Sequence, residues 1–163
     1  MPRKQNERYV KEPPRFSSFK PAGIPRTELP GTSITLDEFE AVKLADYLEL
    51  DQQDAADQMA ISRSTFSRLV ARARQKIAGA LINGHELIIE GGRIHFINNL
   101  LVCRSCGHQF TVTMETDMNK CPACGAGKLM DYAGSFGHGR CCRGHHKGNR
   151  GNHATTGSDR TPG

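Results

Sequence analysis

Apolar positions recur with a helical period through the first half of the chain. From Thr35 onward, Ala41, Leu44, Ala45 and Leu48 fall at i, i+3, i+4 and i+7, the spacing of one buried helix face. Thr35 and Glu38 have the spacing of a capping box, which sets the helix start. A shorter helix is predicted near Gln52–Met59, burying Ala55, Ala56 and Met59. A third starts after Ser62, a favourable N-cap. Its stripe is Phe66, Leu69, Val70, Ala73, Ile77, Ala80 and Leu81, and Asn83-Gly84 supplies the stop.

The period then changes. Leu87-Ile88-Ile89, Gly91-Gly92 and Ile94-His95-Phe96-Ile97 read as a short β-hairpin over 85–100, which needs a packing partner because two strands alone are marginal. Paired cysteines occupy 101–132. From Ala133 to Gly163 the chain is Gly, His, Arg, Asn and Thr with few apolar residues, the composition of a disordered tail. Residues 1–33 read as a basic arm: Arg3, Lys4, Arg8, Lys11, Arg15, Lys20 and Arg26 recur between prolines that forbid a long helix. Phe16 and Phe19 could anchor it. The arm is either a disordered leader or a contact to the DNA backbone or minor groove. The fold class this predicts is mainly α: a helix-turn-helix domain over 34–84, a β-hairpin, and a small zinc-ribbon module.

Charge sharpens the picture. The whole chain nets +5, a weak hint of a polyanionic partner. Residues 34–58 carry eight carboxylates and one lysine, whereas 59–84 carry Arg63, Arg68, Arg72, Arg74 and Lys76 and no acid. Either these two faces pair with each other, or the basic one is aimed at phosphates. The chain opens without a signal-peptide pattern and contains no apolar run long enough to span a bilayer. The expectation is a cytoplasmic protein without membrane contact, in which six cysteines act as metal ligands or redox thiols before they act as disulfides.

Gln52 to Lys76 carries the main functional signal. Two helices meet at the tight connection Met59-Ala60-Ile61-Ser62, small Ala55 and Ala56 permit close approach, and Ile61 can plug the corner. Ala60 stands where many helix-turn-helix proteins place Gly, and it fits if its backbone is not strongly left-handed. In such motifs the second helix enters the major groove with its first turns on base edges. Opposite the apolar stripe lie Ser64, Arg68, Ala71 and Gln75, flanked by Ser67 and Arg72. Arg68 can bond a guanine bidentately, and Ser64, Thr65 and Ser67 are short enough for deep seating. Arg63, Arg72, Arg74 and Lys76 suit phosphates. Ser62 and the free amides of the helix start could hold a further phosphate. The plainer alternative is a three-helix bundle with a charged surface.

The stretches "FKPAGIP" and "LDEFEAVKLADYLELDQQDAADQMAISRSTFSRLVARARQKIAGALINGHELIIEGG" resemble uncharacterised protein family 0251 (domain of unknown function 134). The resemblance covers roughly residues 1–97. It implies a prokaryotic regulator whose helix-turn-helix is like region four of sigma factors, with Arg63, Thr65, Arg68 and Arg72 on the DNA side.

Cys103 and Cys106 form C-x-x-C before Gly107, and Cys121 and Cys124 form C-P-x-C before Gly125. Each pair with its glycine makes a tight knuckle, and four thiolates close a tetrahedral zinc site of structural type. Iron in a rubredoxin-like site is the lesser alternative. Metal binding would supply folding free energy that so small a module lacks. His108 is expected at the surface, and Gln109–Thr113 as a strand. In the tail, Cys141 and Cys142 lie among His138, His145, His146 and His153. These read as a flexible tail, a nonspecific nucleic-acid tether, or a metal or redox sensor.

The expected function is a sequence-specific transcriptional regulator, binding double-stranded DNA as a homodimer on an inverted repeat. Its interface would be the hairpin, the zinc ribbon or both. An accessory factor docking on RNA polymerase is the second class, and a metal- or redox-responsive regulator the third. No carboxylate pair, Ser-His-Asp set or phosphate loop supports an enzyme.

Overall fold

A computed structural model describes residues 7–114, 116 and 118–138. The chain divides into two compact units, residues 1–94 and 95–163.

In the first unit, helix α1 (Leu36–Val42) starts at Thr35. Its hydroxyl accepts from the Glu38 amide (3.3 Å), and the Glu38 carboxylate accepts from the Thr35 amide (3.0 Å). Both halves of the capping box are therefore present. The helix widens into a π turn (Lys43–Tyr47). Helix α2 (Gln52–Gln58) is capped by Asp51, which accepts from the Asp54 amide (2.9 Å). Helix α3 (Arg63–Asn83) is capped by Ser62 and stops at the left-handed Gly84. Ala41, Leu44, Ala55, Ala56, Met59, Phe66, Leu69 and Val70 form one buried cluster, with Ile61 packed against it at the corner.

Short strands surround these helices. Strands β1 (Arg8–Val10), β2 (Ser18–Phe19) and β3 (Gly31–Ile34) precede α1, and β4 (Glu86–Ile89) follows α3. β4 lies in the middle of its sheet. It runs antiparallel to β2, with Phe19 opposite Leu87, and parallel to β3, with Ile34 opposite Ile89. The Tyr9 amide donates to the Met59 carbonyl (3.1 Å), which ties β1 to the end of α2. Val10 and Ile34 are buried, so the Pro-rich segment from Arg8 onward contributes core as well as charge.

Two sequence expectations are corrected here. The described residues are 36% helix and 23% strand, with four helices and three small sheets. The fold is mixed α/β rather than mainly α. The segment 85–100 is not a hairpin, because both edges of β4 are taken by β2 and β3. The next strand, β5 (Ile94–Phe96), does not pair with it. A strand can use each edge once, and partners that lie more than fifty residues back in the chain leave no trace in local periodicity.

In the second unit, β6 (Asn98–Cys103) is central between β7 (Gln109–Thr113) and β8 (Leu129–Asp131), antiparallel to both. A short helix α4 (Tyr132–Ser135) follows, capped by Asp131. The Asn99 side chain donates to Asp131 (2.7 Å) and accepts from the Ala133 amide (3.0 Å). Residues 133–138, read from sequence as the start of a disordered tail, are thereby held on the β6 sheet. Among the described residues, no helix is long and apolar enough to cross a membrane.

Ala60, in the turn between α2 and α3, has φ 56°. The condition under which alanine fits this turn without strain is therefore not met: its backbone is left-handed, where a Cβ costs about 1 kcal/mol relative to glycine. Burial of Met59 and Phe66 on either side of the turn outweighs that cost. Ala60→Gly is expected to raise the unfolding free energy by about 0.5–1 kcal/mol. A urea midpoint that is unchanged or lower, at constant m, would contradict this.

Candidate nucleic-acid interface and metal centre

The first turns of α3 hold a connected set of hydroxyls. Ser62 Oγ lies 2.8 Å from Thr65 Oγ1 and 3.2 Å from Ser64 Oγ, and accepts from the Thr65 amide (3.2 Å). Ser62, Arg63, Ser64, Arg68 and Arg72 are exposed, and Thr65 and Ser67 are half-buried. The apolar stripe faces inward through Phe66, Leu69, Val70, Ala73 and Ala80, with Ile77 half-buried, whereas Leu81, read from sequence as part of the stripe, is exposed. Arg68 and Arg72 thus share one solvent-facing side of the helix, Arg63 is exposed about 140° around the axis from Arg68, and α3 itself carries no acid.

Two of the basic residues are engaged differently. Lys76 Nζ lies 3.0 Å from both oxygens of Glu38, which is buried. Arg74 grips Asp46 at 2.6 and 3.0 Å, and these hydrogen bonds hold the Asp46 carboxyl below its usual range. The opposed charges of 34–58 and 59–84 therefore do pair, through ion pairs at Lys76 and Arg74 and a weaker attraction between Arg63 and Asp51. A sequence signal for Lys76 existed. It sits three residues after Ala73 and four before Ala80, beside the buried stripe, and about 80° around the helix from Arg68. Asp46, which holds Arg74, and Asp37 are not singled out from sequence; Glu38 is read there only as half of a capping box, and Arg8, read as part of a basic arm, pairs with Asp37.

The cysteine site is built from two copies of one local device. The Gly107 amide donates to the Cys103 carbonyl (2.9 Å), and the Cys103 amide to the His108 carbonyl (2.9 Å). At the second pair, the Gly125 amide donates to the Cys121 carbonyl (2.8 Å), and the Cys121 amide to the Ala126 carbonyl (2.9 Å). Gly107 and Gly125 have φ 77° and 75°, a left-handed step suited to glycine that folds each pair into a knuckle. Cys103 Sγ lies 3.6 Å from Cys124 Sγ, and Cys106 Sγ 3.7 Å from Cys121 Sγ. All four sulfurs fall within 4.8 Å of one another, a set compatible with one bound metal ion. The amides of Cys106 and Ser105 hold the Cys103 thiol down to about 6. The His108 amide pulls Cys106 the same way. Desolvation and its three neighbouring sulfurs outweigh that pull and push Cys106 up to about 12. His108 stacks on Phe110 (5.6 Å between centroids) and is exposed.

Arg3 and Lys4 of the arm, and Cys141, Cys142, His145, His146 and His153 of the tail, lie outside the described residues.

Comparison with known proteins gives a consistent result. The family described as "Protein of unknown function DUF134" matches residues 1–97. A UPF0251 protein of Chloroherpeton thalassium is 44% identical over 131 residues, covering 80% of this chain and 87% of that relative. A UPF0251 protein of Pelotomaculum thermopropionicum is 41% identical over 132 residues, covering 81% and 97%. One from Chlorobaculum tepidum is 36% identical across 100% of this chain and 83% of its own length. No solved structure matches.

Lys76→Ala should cost about 2 kcal/mol or more of stability, because it strands a buried carboxylate. Arg68→Ala, on the exposed face, should change stability by less than about 0.5 kcal/mol. Equal losses in chemical denaturation would show that the two cations are not divided between core and surface.

Proposed function

The chain belongs to the DUF134 family, and we propose that it is a sequence-specific DNA-binding regulator in which α2, the turn and α3 form a helix-turn-helix with α3 in the major groove. The observation that carries this reading is the exposed, acid-free start of α3, with Ser64, Arg68 and Arg72 outward while Arg74 and Lys76 are held by Asp46 and Glu38. A bundle needs no such face. Arg68 is the base reader, and Arg63 and Arg72 clamp phosphates on either side. Ser62, Thr65 and Ser67 let the helix start sit close to the backbone.

The metal is zinc, and its role is structural. Zinc–sulfur bonds of about 2.3 Å in a tetrahedron set sulfur–sulfur edges of about 3.8 Å, against 3.6 and 3.7 Å between the paired cysteines. Cys103, Cys106, Cys121 and Cys124 together leave no position for water, and the small second unit needs metal binding to fold. A rubredoxin-like iron centre is the alternative that elemental analysis separates.

A second reading is favoured by one feature. Asp51, Asp54 and Asp57 lie exposed on and beside α2, where they would repel phosphates and suit a protein partner such as RNA polymerase.

Selection of bound duplexes from a random library at about 0.15 M salt should enrich a defined motif. Recovery of unrelated sequences would favour the polymerase-contact reading. On the selected site, Arg68→Ala should cost about 1–3 kcal/mol and relax base choice, whereas Arg72→Ala should weaken all duplexes alike and flatten the salt slope by about 1. Indistinguishable behaviour of the two would remove the assignment. Cys103→Ser should lose about one equivalent of zinc and unfold the second unit while the first keeps its melting transition. Unchanged zinc content would overturn the centre.

A further inference from the structure

Helix α3 changes character at Lys76. Residues 63–76 carry five basic residues, and 77–84 carry no charge at all. With 21 residues the helix is about 31 Å long, while base reading occupies only its first turns. In its last two turns Ala78, Leu81 and Ile82 are exposed, Leu81 by 78% and Ile82 by 82%. Their i, i+3, i+4 spacing puts them on neighbouring positions of one surface. Beside Leu81 opens a groove of about 480 Å³, walled by Phe19, Pro21, Ile77 and Leu87, with Lys20 and His85 as its polar members. Lys20 donates to the Ile24 carbonyl (2.7 Å), and His85 Nδ1 lies 3.1 Å from Thr32 Oγ1.

We propose that this face is the contact between two copies of the chain, with Leu81 of each copy filling the groove of the other. A two-fold contact requires one patch that is complementary to itself, and here a protruding apolar side chain and an apolar groove adjoin. The absence of charge from 77–84 removes like-charge repulsion between the two helix ends. Phe19, Leu81 and Ile82 alone leave roughly 400 Å² of apolar side chain in water, the scale of the largest patch on an ordinary monomer. Doubled, and with the groove walls added, the contact reaches the roughly 1,000 Å² that a specific interface buries. Strand addition is closed as a route at residues 86–89, since β2 and β3 occupy both edges of β4. The biological sense of the pairing rests on the DNA-binding reading: two long helices joined near their C-terminal ends hold their reading ends apart, as half-sites about 34 Å apart demand.

The test is sedimentation equilibrium of the full zinc-loaded chain without DNA, alone and as the L81E and I82E variants. Wild type is expected at twice the 17.9 kDa chain mass. Each variant is expected to raise the dimer dissociation constant by about 100-fold or more, because a glutamate would be buried unpaired. Both positions are exposed within one chain, so circular dichroism and melting of the monomer should not change. Monomeric wild type at about 100 micromolar, or variants that dimerise as wild type does, would overturn the proposal. A monomer that binds a hydrophobic small molecule in the groove would overturn it equally. A dimer that selects no DNA motif retires the DNA reading alone, and a monomer that selects one retires the dimer alone.

Discussion

Three carboxylates on the seven-residue helix α1 are buried: Asp37, Glu38 and Glu40. Burying a charge is tolerable only with a partner, and each partner comes from elsewhere in the chain or the next turn. Arg8 reaches Asp37 from β1. Lys76 reaches Glu38 from α3. Glu40 takes Lys43 Nζ (2.9 Å) and the Lys11 amide (3.3 Å). The N-terminal segment must therefore cross α1, and α3 must lie against it with Lys76 inward. That single rotation fixes which arginines of α3 face water.

From this constraint α3 acquires three surfaces. One stripe is core. The opposite side of its first half carries free-facing arginines and short hydroxyl side chains. The last two turns carry neither charge nor cover. A helix of ordinary length would need only the first two. The extra length is what separates the face proposed for DNA from the face proposed for a second copy of the chain.

The second unit depends on a different and more local constraint. Each C-x-x-C-Gly repeat closes through the same pair of backbone hydrogen bonds, and the sheet β7-β6-β8 brings the two knuckles face to face. Cys103 ends β6, so the register of that sheet sets where the first knuckle begins. The Asn99–Asp131–Ala133 bonds lock the closing strand.

What the sequence determined by itself is what acts over a few residues. The capping box at Thr35, the Ser62 cap, the stripe of α3 as far as Ala80, the stop at Gly84 and the four-cysteine tetrad follow from spacing, because hydrogen bonds and helical period are local. The tertiary structure decided what depends on distant partners. Ile34 pairing with Ile89 across the whole helical segment turned a chain read as mainly α into a mixed fold and dissolved the expected hairpin. Helical period placed Lys76 beside the buried stripe, but only folding could give Lys76 and Arg74 their carboxylates and leave Arg63, Arg68 and Arg72 facing water, since a cation's role is set by what charge lies within about 4 Å of it.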